Sequence, residues 1–319
     1  MLIFNDADSG ALDALKANCA PLLAQIKAEI PTLHLEVRFL AGAFEQSYAS
    51  IKQSVAVGRF RNVLYNLDQC GHSQIAQETL RDIMQSTPST EIFYTFAIEA
   101  LVAFLHKRDP ARLAAQVRHL GVAVDELQNL ERLMSNDAWL GTAERVVFDA
   151  FRNCAPFVSP FSINNPSGWR YWLIHLANNY RARQVYNNVL HDNATSQAHF
   201  GRSGLNMLSY DPSHDGALYL FDMSGRETAR AQLTEDIPRM LAESGDALNV
   251  AEFYEGIYNA TPAHTDDVHE AIIQCEDLEV LTPSGGTRRR ANTIEIGDTI
   301  RVKNQRSFFP MFGPIVKSK

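Results

Sequence analysis

The stretch LIFNDADSGALDAL, residues 2–15, decides how the rest of the chain reads. Leu2, Ile3 and Phe4 form a short apolar run, Asn5, Asp6 and Asp8 end it, and Ser9-Gly10 leads into Leu12, Leu15, Leu22, Leu23, Ile26 and Ile30 at helical spacing. A short strand that ends in acidic residues and turns straight into a helix is one βα unit. The unit recurs. LHLEVRFLAG (33–42) alternates as a strand, FEQSYASIKQSVA (44–56) reads as a helix, RNVLYNLDQCG (61–71) as a strand and SQIAQETLRDIMQS (73–86) as a helix. Residues 90–105 begin as a strand and end as a helix, 167–179 are strand-like and 180–191 helical. Strands that alternate with helices imply an α/β fold with a parallel sheet covered on both faces. Ligands in such sheets sit at the carboxyl ends of the strands. The residues expected there are Asp6 and Asp8, Gly42 with Phe44, and Asn66 with Asp68.

The bounds agree with a two-domain protein. The chain has 319 residues, enough for two domains, and its net charge of -8 excludes a polyanion binder acting through overall charge, so any basic patch must be local. The four cysteines, Cys19, Cys70, Cys154 and Cys275, are scattered with no CxxC pair, which argues against a disulfide framework or a structural zinc. No apolar run approaches the ~18 residues of a membrane span, and no basic-then-apolar leader opens the chain. A soluble, cytoplasmic protein without a membrane partner is the expectation.

The last third changes character. Residues 227–244, 250–261 and 264–275 read as three helices, and LEVLTP (278–283), the turn SGG (284–286), TRRRANTIEI (287–296) and TIRVKN (299–304) read as a hairpin. Three helices followed by a hairpin is the winged-helix order. The chain therefore divides into an α/β domain over 1–225, with a helical insertion near 106–155, and a winged-helix domain over 226–319. Between them FGRSG (200–204) resembles a glycine loop, but no apolar strand precedes it, so it reads as a turn.

The strand ends carry the candidate chemistry. An acidic residue after a strand of a nucleotide-binding sheet bonds ribose hydroxyls, which assigns Asp6 or Asp8 to a cofactor; ordinary capping is the competing role. Asn66, Asp68 and Gln69, in NLDQ, supply two amides and a carboxylate able to hold a target nitrogen; a strand-end Asp68 capping the next helix is the competing role. Cys70 and His72 lack a third group to make a nucleophile pair, and His175 reads as a satisfied core histidine. In the hairpin domain, the helix at 264–275 would enter a major groove led by His264 and Thr265, with Thr265 as the N-cap, although Asp266 and Asp267 there repel phosphate. Arg288, Arg289 and Arg290, with Lys303 further on, form a basic wing suited to phosphate or minor-groove contact.

GWRYWLIHLANNYRARQVYNNVLH (168–191), HFGRSGLNMLSYDP (199–212) and the closing NQRSFFPMF (304–312) resemble the three-Cys-motif partner proteins. The resemblance covers most of the chain. It implies a bacterial or phage-borne gene, a Rossmann-like class I methyltransferase domain that uses S-adenosylmethionine, a C-terminal winged helix, and a partner with a three-cysteine motif similar to radical SAM enzymes. Carried over, LIFNDAD matches the family's second strand, with Asp6 and Asp8 at the ribose position. LYNLDQCG matches its fourth strand, where Asp68 and Gly71 keep the pattern Asp-Pro-Phe-Gly and Gln69 and Cys70 depart from it. Gly42 and Phe44 fall at the neighbouring strand end. The family carries a first strand with a glycine-rich loop ahead of the position of Asp6. The resemblance therefore implies a start upstream of Met1, or another element filling that place in the sheet.

Two readings stand at this point. One is a methyltransferase targeted by its winged helix to double-stranded DNA or to the three-Cys-motif partner. The other is a catalytically inactive methyltransferase-fold scaffold that binds DNA or protein.

Overall fold

A computed structural model of the chain describes residues 1–68, 75–98, 120, 139–163, 171–193, 197–200, 204–205, 218–219 and 221–303. The chain divides into two compact units, Met1–Ala182 and Arg183–Lys319.

The first unit begins with β1 (Leu2–Asp6), α1 (Ser9–Glu29), β2 (Val37–Ala41), α2 (Phe44–Val57), β3 (Asn62–Leu67), α3 (Gln77–Ser86) and β4 (Ser89–Phe96). It continues with α4 (Trp139–Arg152), β5 (Phe157–Ile163) and β6 (Tyr171–Ala177), and α5 (Tyr180–Asn193) crosses into the second unit. Asp8 starts α1 by accepting from the amides of Gly10 (2.8 Å) and Ala11 (3.2 Å), two of the donors a helix start leaves unmet. β1 and β2 pair in parallel from Leu2↔Val37 to Asp6↔Ala41, as a two-stranded sheet. β3 pairs in parallel with β4, and a further sheet runs β3-β4-β6-β5.

α2 and α3 run side by side in the same direction. Glu45, at the start of α2, accepts from the Ala76 amide and the Thr79 hydroxyl at the start of α3, both at 2.8 Å. Further along, Tyr48 and Lys52 both donate to Asp82. Two residues separate β2 from α2, four separate α2 from β3, and β3 pairs in parallel with β4, so β2, β3 and β4 share one direction, and β1 shares it through β2.

The sheet is not wholly parallel, as the alternation of strands and helices leads one to expect. β6 is antiparallel to both β4 and β5. The reason is connection length: β5 and β6 are joined by residues 164–170, too few for the helical crossover that a parallel return needs. β5 falls at the edge of what reads as a helical insertion, and Pro160 within it hides the strand. α4 lies inside that insertion; most of the rest falls outside the described residues. The core sits where β4 and β6 meet the helices: Ile92, Tyr94 and Phe96 alternate inward on β4, Trp172, Ile174 and Leu176 on β6, and Leu80 and Ile83 of α3 cover them.

The second unit contains β7 (Gln197–Phe200), β8 (Leu218–Tyr219), α6 (Met223–Glu243), β9 (Ala247–Asn249), α7 (Val250–Ile257), α8 (Thr265–Gln274), β10 (Leu278–Leu281), β11 (Thr287–Arg288) and β12 (Thr299–Val302). The last four strands form an antiparallel sheet in the order β11-β10-β12-β9. Leu233 and Ile237 of α6, Phe253 of α7, Val268 and Ile272 of α8 and Ile300 of β12 form one core. Within the second unit α5 packs on the segment before α8. Asn187 donates to the carbonyls of Thr261 (3.1 Å) and Ala263 (3.2 Å), and Asn188 accepts from the Thr265 amide (3.1 Å). The residues between 195 and 225 that read as loop contain the short strands β7 and β8. The N-cap of α8 is His264, whose ring accepts from the Asp266 amide (3.1 Å), one residue before the position expected. No helix among the described residues is long and apolar enough to cross a membrane.

The Lys52 ammonium, then the Tyr48 hydroxyl, hold the Asp82 carboxyl below its ordinary range. A depressed folded-state value means stability present above the unfolded value of about 3.9 and lost as pH falls through the folded one. Asp82→Asn is therefore expected to lower stability at pH 7 by about 0.5–1 kcal/mol, an exposed pair's worth, and to converge with wild type as pH falls through the folded value. Thermal melts of both proteins across pH check this.

Candidate functional site

Two strand ends and one helix start meet at a single opening. A cavity of about 840 Å3 lies between β1 and β3. Its mouth is lined by Asp6, Ala7, Phe44, Asn66 and Asp68, and its depth by Ile3, Ile51, Val55, Val63 and Tyr65 among others. Of the residues expected at the strand ends, Asp6, Phe44, Asn66 and Asp68 are therefore brought together. Gln69, Cys70 and His72 lie outside the described residues.

Each wall has an internal reason for its position. Asn5 holds β1 to the turn after β2. Its side-chain amide donates to the carbonyls of Leu40 (3.0 Å) and Gly42 (2.9 Å) and to the Ser47 hydroxyl (3.1 Å). Gly42 returns the bond, its amide donating to the Asp6 carbonyl at 2.9 Å. At φ +128 it occupies backbone space that side chains rarely reach, so glycine is required by the turn. Gly42 is thus a structural residue that aims Phe44 at the mouth and does not itself line the cavity. Asp8 does not line it either, since its carboxylate caps α1. Asp6 turns one oxygen back to the Asp8 amide (2.8 Å) and remains exposed at the mouth, as do Asn66 and Asp68. Deeper in, burial first and the Asp82 charge second push the Tyr65 hydroxyl up, so it remains a neutral donor. Asn5 escaped the sequence reading, although an amide closing an apolar strand is a signal that could have marked it.

No group of histidine, cysteine and acidic side chains among the described residues could hold a metal ion. His175 is buried and its Nε2 lies 3.1 Å from Glu91, which binds it into the β4–β6 pairing.

Comparison of the chain with protein-family models, curated proteins and solved structures gives no match.

In the second unit the charges mostly satisfy one another. Asp267, 1% exposed at the first turn of α8, receives the Arg226 guanidinium at 2.9 and 3.0 Å. Arg230 bonds Glu270. Thr265 is held by Asn188 and His264 stacks edge-on against His191, so the leading residues of α8 are packed side chains, with Asp266 exposed beside them. Arg288 is a brace: it donates to the fully buried Asp298 at 2.9 and 3.2 Å and pairs with Glu295 at 3.2 Å. Arg289 and Arg290 are exposed on the same turn. Lys303 donates to the Glu276 carbonyl at 2.6 Å.

Two substitutions test this division of labour. Asn5→Ala removes three bonds at the base of the cavity and is expected to destabilise the first unit by about 1–2 kcal/mol. Arg288→Ala strips the arginine from a buried carboxylate and is expected to lower the unfolding midpoint clearly, whereas Arg289→Ala stays within about 0.5 kcal/mol. Denaturant unfolding of each variant reads both.

Proposed function

We propose that the first unit is a methyltransferase-like nucleotide-cofactor domain that binds S-adenosylmethionine at the mouth of the β1–β3 cavity. The observation that carries this is positional: Asp6, Phe44, Asn66 and Asp68, from three successive βα units, line one opening. Strand order supports it. The pairs β2-β1 and β3-β4, in separate sheets with the cavity lined from β1 and β3, are compatible with a doubly wound 3-2-1-4-5 order whose position 1 is the cavity, and such sheets bind ligands where the strand order reverses. The exposed Asp6 carboxylate suits ribose hydroxyls and the Phe44 ring suits a base. The fit covers only the nucleoside: no glycine cradle for the amino-acid end of the cofactor stands among the described lining residues.

The second unit, on this reading, is a winged helix. The order α6-β9-α7-α8-β10-β11-β12 and the pairing of β9 with β12 support it. Contact with nucleic acid would be led by the wing, through Arg289 and Arg290, because the front of α8 is packed and acidic. The three-Cys-motif resemblance adds a radical-SAM-like protein as the expected partner of the whole chain.

Calorimetric titration of the full chain with S-adenosylmethionine tests the first reading. Binding in the micromolar range is expected, weakened roughly tenfold by Asp6→Asn, the worth of about 1.4 kcal/mol. No binding by a chain shown to be folded would overturn it. For the wing, Arg289→Ala with Arg290→Ala is expected to weaken duplex binding and to reduce the slope of log affinity against log salt by roughly 2. An unchanged slope removes the wing from phosphate contact.

A further inference from the structure

The end of α5 meets the start of α8 through two histidines, His191 and His264, and the hydrogen bonds of each call for an uncharged ring. His191 Nε2 lies 3.1 Å from the Pro262 carbonyl, which only accepts, so that nitrogen carries the ring proton. The Tyr219 hydroxyl stands 3.2 Å from the same nitrogen. Nδ1 is then the lone-pair nitrogen. It is buried, and among the described residues no group bonds it, so a second proton would place an N–H there with no acceptor. His264 is committed in another way. Its Nδ1 accepts from the Asp266 amide at 3.1 Å and is the N-cap of α8. An imidazolium donates from both nitrogens and accepts at neither, so a proton on His264 removes the cap.

The surroundings oppose charge on His191. The two rings stand edge-on at 5.5 Å, and the Arg226 guanidinium of α6 adds positive charge. The Asp267 carboxylate is already taken by Arg226 and Arg230. Phe221 packs edge-on against the His191 ring at 4.8 Å. Burial first, with His264 and Arg226 adding and the Pro262 bond opposing, brings the His191 ring down to about 4. The Asp266 carboxylate, 3.7 Å from His264, receives an imidazolium there, which exchanges the helix cap for an exposed pair. One turn on, His269 is bonded by the Tyr254 hydroxyl, and burial lowers it too.

We propose that the junction of α5 with residues 261–266 is an acid-operated latch: protons taken up by His191 and His264 break the N-cap of α8 and release Thr261–His264 from α5. The bonds that would open with it are those of Asn187 to the Thr261 and Ala263 carbonyls and of Asn188 to Thr265. The ties of α8 to α6, Asp267 with Arg226 and Glu270 with Arg230, contain no histidine and keep the body of the helix in place. The direction follows from linkage. A folded-state value below the unfolded one of about 6.5 gives stability that is present above about pH 6.5 and lost as pH falls towards about 4.

Hydrogen exchange of the full chain, corrected for the intrinsic rate, at pH 7.5 and pH 5.0 tests the latch. Protection over 261–268 is expected to fall at least about tenfold, whereas 233–241 and 278–302 keep theirs within about threefold. His264→Asn supplies a capping oxygen that does not titrate, and His191→Gln keeps a donor for the Pro262 carbonyl. The double variant is expected to hold its protection over 261–268 at pH 5.0. Equal loss in the double variant and the wild type overturns the proposal, as does loss spread evenly over the second unit or no loss in the wild type. If the double variant lacks protection already at pH 7.5, the ring carbon shifts of His191 and His264 in the wild type decide by NMR. Titration in step with the loss of protection supports the latch, and protection lost without titration, or titration without loss, overturns it. Neither S-adenosylmethionine nor duplex binding enters the result.

Discussion

Backbone groups at a sheet edge must be paired or solvated, and that constraint governs the first unit. Along β4 and β6 it is met in full by neighbours on both sides, and there the core is dry: Ile92, Phe96, Trp172 and Leu176 have no exposed surface. One strand further out, at β3, pairing is one-sided and burial follows suit. Tyr65 and Leu67 face the helices and are buried, while Leu64 on the other face is mostly exposed. At β1 and β2 no strand residue is fully buried, and α1, which packs on them, buries only Leu12. Packing density therefore falls off towards the two facing edges, and the cavity lies where it falls.

The same region shows how structural and functional demands divide among neighbouring polar residues. Asn5, Asp8 and Gly42 close the turns: one ties strand to loop, one starts a helix, one supplies a backbone angle that other residues resist. Asp6, Phe44, Asn66 and Asp68 are left to face solvent at the mouth. Residues one or two positions apart take opposite roles, because successive strand residues point to opposite sides and Asp8, two residues beyond β1, is claimed by the next helix.

In the second unit, charge is largely spent within the fold. Asp298 and Asp267 are buried carboxylates, each held by arginine, and removing an arginine would leave a buried charge unmatched. The basic run at 288–290 thus splits into one structural arginine and two exposed ones. The acidic front of α8 is likewise split: Asp267 fastens α8 to α6, and Asp266 faces solvent beside the His264 cap.

Local order was legible in the sequence wherever period and punctuation agreed. α1, α2, α6 and α8 fall within a few residues of their apolar periodicity, and β1 and β4 are read from short runs closed by polar residues or turns. β5 was not legible, because Pro160 and a helical-looking approach mask it, nor was the antiparallel placement of β6, which depends on a short connection and on which strands lie next to each other. The candidate site was partly legible: acidic and amide residues at strand ends name themselves, but a linear chain does not say which ends converge, that Asp8 and Arg288 are consumed by internal partners, or that Asn5 anchors a turn. By itself the sequence determined the alternation of strands and helices, because hydrophobic period is a local property. Tertiary structure alone decided that two parallel edges face each other across a cavity, because strand pairing joins residues far apart in the chain and is set by what remains to be paired.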